Sequence, residues 1–322
     1  MDLYFDKENL FSFLSQRDME EYVDCSRLVK RQLHVVYGFE EEDINKWDEN
    51  LRLCFINDIV DGRGWKEEKD DYKENYLETT GVKSDFALFL INDNHVADIS
   101  ENRIKGKVGE EIQIIKKLFC GNDYDLHCEY NLQDKSSFPS WEKLELDGHA
   151  LPCSDIIIRD RYLFDNQYEL VRTNLYELLN VLTKSNNVSA NVVIITKGNN
   201  TTNWKNYINE IKAQCNVNIT FALAYPNPSG KGFIATIPHD RIILTNYRRY
   251  VSGDSLAFFK ANGDVLTTGD VFKVDSVADR NTQSLADAFI KNTQELCNNI
   301  RKKEFGNIKY ILGDKKSNLI KF

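Results

Sequence analysis

The stretch SDIIIRDRYLF at residues 154–164 decides the fold, because its β-branched run predicts a buried strand. A helical pattern follows at 167–184, and NVVIITK at 191–197 is again typical of a core strand. Strands that alternate with helices predict an α/β domain with a mixed sheet flanked by helices. We therefore expect one sheet to hold strand 154–162 beside strands at 191–196 and 235–245.

The alternation continues towards the C-terminus. The further predicted elements are a helix at 203–215, a strand at 218–225, one or two strands within 232–250, a hairpin turning at Asn262-Gly263, a helix at 281–303 and a terminal hairpin about Gly313-Asp314. This regular part of the chain, residues 140–322, is predicted to be one α/β domain.

The N-terminal part has a different pattern. Its first 75 residues place apolar side chains at helical spacing, and EEIQIIKKLF at 110–119 predicts another helix. FALFLI at 86–91 is a short apolar run that suits a buried strand. The expectation for residues 1–139 is therefore a mainly helical, acidic region.

Charge is divided unevenly along the chain. Residues 1–150 contain 19 Lys+Arg against 34 Asp+Glu, a balance of -15, and residues 151–322 contain 22 against 16, a balance of +6. The second part can therefore face phosphate. The acidic part can face a basic protein partner, cover the second part, or be a well-solvated surface.

Composition narrows the class of protein. The chain has 322 residues, of which 42% are hydrophobic and 28% charged, which excludes a disordered chain. No apolar run approaches the roughly 18–20 residues of a membrane span, and no basic segment precedes an apolar one at the N-terminus. Seven cysteines without paired spacing indicate reduced thiols, so we expect a cytoplasmic protein without a transmembrane segment.

The segment IPHDRIILTNYRRYVSGDS at 237–255 contains the strongest candidate site. Because side chains alternate along a strand, His239 and Arg241 project to one face. Gly253 and Ser255 follow in a tight turn, where backbone can approach an anion. An imidazole beside a guanidinium suits phosphate, because the arginine can clamp oxygens while the histidine attacks phosphorus or moves protons.

The spacing His-x-Arg-x4-Asn-x6-Gly, formed by His239, Arg241, Asn246 and Gly253, resembles the His-x-Lys-x4-Asp-x6-Gly-Ser signature of the phospholipase D superfamily. The order of elements over about 150–260 is similar to one half of that family's duplicated fold. The His-Asp-Arg triplet and its Gly-x-Ser-Leu-x-x-Phe tail also look like the phospholipase D-like C-terminal domain of MIT-domain proteins. That second resemblance implies membrane binding rather than catalysis.

The superfamily resemblance implies catalysis by two histidines, one as nucleophile and one as acid, so a chain with one motif would act as a homodimer. Two departures bear on activity. Arg241 replaces the lysine, and its planar fork is not equivalent to a compact ammonium. Asn246 replaces the aspartate, and an amide can hydrogen-bond but cannot hold an imidazolium by charge.

Three functions remain open at this point. The favoured expectation is a phosphodiester- or nucleic-acid-binding protein, for DNA or RNA, with a degenerate active site. By general resemblance alone it would be a subunit of a bacterial antiviral defence system. The first alternative is a metal-independent nuclease or phosphodiesterase active as a homodimer. The second is a membrane- or protein-binding scaffold whose basic face meets anionic head groups.

Cations interleaved with aromatic residues extend the candidate site. Arg248, Arg249 and Lys260 have tyrosines and phenylalanines between them, as single-strand binders do, although paired strands with core aromatics explain the pattern equally well. The predicted catalytic residues are His239, Arg241, Asn246 and Ser255. The predicted phosphate- or nucleic-acid-binding residues are Arg161, Tyr162, Arg248, Arg249, Gly253 and Lys260.

A metal site is not expected. One loose group of potential zinc ligands exists, made of Cys120, His127, Cys128, His149 and Cys153. Because it lacks any Cys-x2-Cys pair, buried thiols are the favoured interpretation. We predict neither a metal nor a cofactor.

Overall fold

The computed structural model describes residues 1–37, 44–60, 86–91, 102–121, 123–165, 168–198, 202–225, 235–267, 269, 271–304, 306 and 308–322. The chain divides into two compact units. The first comprises Met1–Leu126 with Ser276–Gln283, and the second comprises His127–Asp275 with Ser284–Phe322. The sequence interpretation placed the boundary at 139/140; the observed division comes earlier because residues 127–131 form a strand of the second unit's sheet.

The first unit contains a four-stranded sheet with strand order β2-β1-β3-β4, and each pair in it is parallel. Its strands are β1 (Asp2–Phe5), β2 (His34–Tyr37), β3 (Ala87–Leu90) and β4 (Lys105–Gly106). Its described helices are α1 (Lys7–Ser15), α2 (Tyr22–Arg31), α3 (Glu49–Phe55), which continues into a π-helical turn at Ile56–Val60, and α4 (Glu111–Lys116).

The mainly helical description of this region needs a correction. Within the described residues the predicted helices and the strand at 86–91 are present, while the predicted helical residues 61–75 lie outside them. Strands β1, β2 and β4 were not predicted, and the described part of the unit is α/β. These strands have four residues or fewer, so each face of a strand carries at most two side chains. Such a segment is too short to show the alternation that identifies a strand.

The second unit contains an eight-stranded mixed sheet with strand order β12-β8-β7-β6-β9-β10-β11-β5. The strands are β5 (His127–Asn131), β6 (Asp155–Arg159), β7 (Ala190–Lys197), β8 (Val217–Ala224), β9 (Arg241–Thr245), β10 (Arg248–Ser252), β11 (Val271–Ser276) and β12 (Ile311–Gly313). Strand β6 pairs in parallel with β7 and antiparallel with β9, and β7 pairs in parallel with β8. The predicted common sheet is confirmed.

Helices flank this sheet, at the predicted places except for the short helix at Lys143–Leu146, which was not predicted. They are α5 (Lys143–Leu146), α6 (Tyr168–Val171), which passes through a π-helical turn at Arg172–Tyr176 into α7 (Glu177–Thr183), α8 (Trp204–Gln214) and α9 (Arg280–Arg301). The start of α8 is set by Asn203, whose side chain accepts a hydrogen bond from the Asn206 backbone N–H. The mixed sheet flanked by helices agrees with the predicted fold class.

The C-terminal segment differs from the predicted hairpin. Strand β12 pairs antiparallel with β8, so it closes one edge of the large sheet rather than folding back on its own neighbours. Asp314 reinforces this pairing by accepting a hydrogen bond from the Ile219 backbone N–H at 2.9 Å. The exposed edge of β8 offers more backbone partners than a three-residue hairpin arm can, which explains the outcome.

Several of the predicted site residues lie at one end of the strands of the large sheet, and the strand directions show which end it is. The carboxyl ends of the parallel strands β6, β7 and β8 lie at the same edge as the start of β9, because β9 runs antiparallel to β6. The chain leaves β6 towards β7 on one side and returns to β9 on the other. Open α/β sheets form ligand crevices where strand order reverses in this way. We call this boundary the carboxyl edge.

Among the described residues, no helix combines the length and the apolar character that a membrane span requires.

Candidate anion-binding site

Three cationic side chains surround the ring of Tyr162 at the carboxyl edge. Nζ of Lys197 lies 4.1 Å from the ring centroid, and the guanidinium carbons of Arg161 and Arg241 each lie 5.4 Å from it. The quadrupole of the ring attracts cations to its face, which holds these charges close together. We call this group the Tyr162 cluster.

His239 joins the Tyr162 cluster from the segment that precedes β9. Its ring is exposed and lies 6.0 Å from the Tyr162 ring, centroid to centroid. Its Nε2 lies 3.2 Å from Nη1 of Arg161. A guanidinium only donates, so Nε2 is the acceptor in this contact. His239, Arg241 and Tyr162 thus share one face of the sheet end.

Arg241 is held in place by the turn that follows β10. Its Nη1 donates to the backbone carbonyl of Gly253 at 2.8 Å. The glycine is exposed, and no other residue approaches the position that a Cβ would occupy. The sequence prediction assigned Gly253 an anion contact through its backbone; in the structure its carbonyl serves to orient the arginine.

A buried carboxylate lies directly beneath the Tyr162 cluster. Asp160 accepts hydrogen bonds from the Ser255 hydroxyl at 2.7 Å, from the Leu256 backbone N–H at 2.8 Å and from the Tyr162 backbone N–H at 2.9 Å. Burial raises the pKa of Asp160, while these hydrogen bonds and the charge of Arg241 oppose that rise. Ser255, a predicted catalytic residue, is therefore engaged with Asp160 and fixes the turn.

Lys197 is the member that the sequence interpretation missed. It is the last residue of β7, and its Nζ pairs with the Asp165 carboxylate at 3.2 Å. Because β7 lies beside β6 in parallel, the end of β7 reaches the same edge as Arg161 and Tyr162. The sequence signal that could have identified Lys197 is a cationic residue at the last position of the strand next to the candidate site.

Asn246 does not belong to this site. It follows β9, whose five residues span about 16 Å at roughly 3.3 Å per residue, so it lies at the opposite end of the strand from His239. Its side-chain oxygen accepts hydrogen bonds from the backbone N–H groups of Ser154 at 2.8 Å and Asp155 at 3.3 Å. The predicted catalytic role of Asn246 is replaced by a structural one.

The aromatic–cationic segment after β9 is mostly interior. Arg248 is fully buried, and its Nη1 donates to the Tyr247 carbonyl at 3.3 Å. Arg249 pairs with Asp275 at 3.0 Å. The interleaved rings are all buried: Tyr247, Tyr250, Phe258 and Phe259. They form core packing, and this outcome favours the structural interpretation of the pattern over base stacking.

Lys260 is exposed but lies apart from the Tyr162 cluster. It lines a surface pocket of about 430 Å³ together with Phe259, Glu142 and Glu177. Burial raises the pKa of Glu177, and the neighbouring Glu142 charge adds to the rise. Two carboxylates beside the lysine make this pocket unsuitable for phosphate.

The loose cysteine–histidine set is dispersed in the structure. Cys128 Sγ and His149 Nε2 lie 3.3 Å apart, whereas His127 pairs with Asp275. Burial lowers the pKa of His149 to about 3, and the charge of Arg248 adds to this effect. In the described part of the chain, no three Cys, His, Asp or Glu side chains come together as metal ligands.

Comparison with protein-family models and with curated proteins gives no match. The geometry of the Tyr162 cluster is therefore the basis for assigning a function.

Proposed function

We propose that the second unit binds phosphodiester groups of a nucleic acid at the carboxyl edge, through a site that does not hydrolyse them. One observation carries this proposal: Arg161, Lys197 and Arg241 converge on Tyr162 at the end of the sheet. Asp165 pairs with Lys197 at 3.2 Å, and the charge of Arg241 acts on the buried Asp160 carboxyl, so the proposal rests on the convergence of the three cations. Such a group attracts phosphate oxygens.

The ring at the centre favours nucleic acid over free phosphate. Tyr162 is half-buried rather than enclosed in the core. Single-strand binders combine cations that follow the backbone with an aromatic ring on which a base stacks. The Tyr162 cluster offers both elements, although on a smaller scale than an extended groove.

Three contacts favour binding over catalysis. The Nε2 of His239 faces Arg161, and the Ser255 hydroxyl donates to Asp160. Asn246 lies at the far edge, so no carboxylate or amide from that position orients the histidine. A nucleophilic histidine needs a group that positions it and a second group that protonates the leaving oxygen.

Binding is tested by fluorescence anisotropy with labelled single-stranded DNA, duplex DNA and RNA at several salt concentrations. We expect Arg161→Ala and Lys197→Ala each to weaken binding about tenfold at low salt, because each removes a charged hydrogen-bond donor to phosphate. Lys302→Ala is the matched control, since Lys302 is an exposed cation just after α9. If all three variants lost the same amount of affinity, the loss would reflect only the lower net charge of the protein, and the proposal would be contradicted.

A homodimeric, metal-independent phosphodiesterase is the second candidate, favoured by the exposure of His239 beside a cationic cluster. The purified chain is incubated with the same nucleic acids with and without EDTA. We expect no cleavage. EDTA-insensitive cleavage that His239→Ala abolishes would establish the phosphodiesterase instead.

Binding to anionic vesicles but to no nucleic acid would support the scaffold alternative. A subunit role in bacterial defence and a basic protein partner for the acidic region remain predictions from the sequence.

A further inference from the structure

Arg159 is a second arginine at the carboxyl edge, on the other face of the sheet. It is the last residue of β6 and pairs with Ile242 of β9, whose side chain alternates with that of Arg241, so the Arg159 side chain projects to the face opposite to Arg241. Its guanidinium carbon lies 4.7 Å from the centroid of the Phe289 ring of α9. The residue is only 5% exposed.

The buried guanidinium of Arg159 has few of the polar contacts that normally stabilise a buried charge. Its Nε is buried without an acceptor, and no hydrogen bond or ion pair joins the group to another described residue. By contrast, the neighbouring Arg249 pairs with Asp275 at 3.0 Å. Burial lowers the pKa of Arg159 and the charge of Arg249 adds to this, while Asp240 opposes it.

A buried guanidinium that makes no hydrogen bond or ion pair destabilises a fold, since the contact with the Phe289 ring does not replace the hydrogen bonds that its N–H groups make in water. Packing alone would be served better by an apolar side chain, because a methionine also fits against a phenylalanine ring. The position of Arg159, at the end of the strand that leads into Arg161 and Tyr162, indicates instead a group kept for a ligand. Asp240 is exposed, so its side chain can give way to an incoming anion.

We propose that Arg159 is a second phosphate contact of the carboxyl edge, so that the ligand is a nucleic-acid strand presenting at least two adjacent phosphates. This inference rests on the proposed function. The Tyr162 cluster holds one phosphate on one face of the sheet end, and Arg159 holds its neighbour on the other. A mononucleotide reaches only the first position.

The experiment compares three ligands, thymidine 5′-monophosphate, the 5′-phosphorylated dinucleotide of thymidine and a thymidine dodecamer, by calorimetry and anisotropy. We expect Arg159→Met to weaken binding of the dinucleotide and the dodecamer about tenfold, and to leave the monophosphate unchanged. The salt dependence of dodecamer binding should fall by about 0.7 in log–log slope, the change for one lost phosphate contact to a single strand. Asp240→Asn should strengthen binding of both longer ligands.

Thermal stability separates a ligand contact from a structural one. Arg159→Met should keep or raise the melting temperature, whereas the matched control Arg249→Met should lower it, because that change leaves Asp275 without its arginine. Arg159→Lys keeps the charge without the fork and gives an intermediate affinity. Two outcomes would overturn the inference. One is that Arg159→Met lowers the melting temperature and leaves the dinucleotide affinity unchanged. The other is that neither Arg159→Met nor Arg159→Lys changes the affinity for the dinucleotide.

The two proposals fail in different ways. If the wild-type chain binds none of the three ligands, the proposed function is wrong. If it binds all three with equal affinity and the Arg159 variants behave like wild type, only the second contact is wrong.

Discussion

Arg161 and His239 meet at the carboxyl edge although 78 positions separate them in the sequence, and Nη1 of the arginine lies 3.2 Å from Nε2 of the histidine. One residue follows β6 and the other precedes β9, and the antiparallel pairing of these strands brings the two side chains together. The contact engages Nε2 of the exposed histidine. It also places the arginine where a phosphate would compete for its donors.

Phosphate binding should therefore disturb His239. We expect added inorganic phosphate to shift the ring resonances of His239 in proton–nitrogen NMR spectra, because Arg161 turns its donors towards the anion. The ring of His149, which is 1% exposed, serves as the internal control. Unchanged His239 signals at saturating phosphate would contradict a phosphate position in the Tyr162 cluster.

The raised pKa of Asp160 predicts a pH dependence of stability. An acid whose folded pKa exceeds its unfolded value of about 3.9 keeps its proton longer in the folded chain, so stability falls as pH rises between the two values. Relative to Asp160→Asn, the wild-type chain should lose unfolding free energy as pH increases from 4 through that window. Urea unfolding at unit pH steps measures the difference. A difference independent of pH would show that the carboxyl is not perturbed.

His149 should behave in the opposite direction. Burial lowers its pKa to about 3, so between pH 6.5 and 3 the imidazole gains a proton only when the chain unfolds, and stability is lost as pH falls. We expect its NMR signals to report a neutral ring at pH 5. The variant His149→Gln should lose less stability than wild type between pH 7 and pH 4. A ring that titrates near pH 6.5 in the folded chain would refute this.

Asp155 should be essential for the stability of the second unit. Its buried carboxylate accepts hydrogen bonds from the Ser317 hydroxyl at 2.8 Å, from Asn318 N and Nδ2 at 2.7 Å each, and from the Ser154 hydroxyl at 2.9 Å. Asp155→Ala leaves these donors unsatisfied and should lower the unfolding free energy by about 3 kcal/mol. In the control variant Glu169→Gln, which changes an exposed residue, the unfolding free energy should fall by less than about 0.5 kcal/mol. Equal urea midpoints for the two variants would contradict this role.

Two glycines with positive φ should respond differently to alanine. At Gly313, φ is 100° and a Cβ would lie 2.1 Å from the Ile219 carbonyl oxygen, whereas Gly263 has φ of 80° with nothing within 4 Å. Gly263→Ala should cost about 1–2 kcal/mol from backbone conformation alone. Gly313→Ala adds a backbone clash and should cost about 3 kcal/mol or more. Denaturant unfolding compares them, and a smaller cost at Gly313 would show that β12 can shift away from β8.

Local sequence pattern identified the central strands and most helices of the second unit, whereas β5 and β11 were not predicted. The long apolar runs at β7 and β8, eight residues each, and the helical periods between them identify these elements without tertiary information. The same pattern placed His239 and Arg241 on one face, because alternation along a strand is a property of the local backbone. In the first unit, strands of two to four residues have too few side chains for such a pattern, and only β3 was predicted.

Tertiary structure decided which of the candidate residues come together. Strand order and direction bring Lys197 into the Tyr162 cluster, which also contains His239, and place Asn246 at the opposite end of the strands. In the sequence, by contrast, Asn246 is far nearer to His239 than Lys197 is. The burial of Arg248 and the unpaired state of Arg159 Nε likewise depend on which elements cover each face of the sheet. Periodicity reports the two faces of a strand, but strand partners and covering helices are set by long-range packing, which a local pattern does not encode.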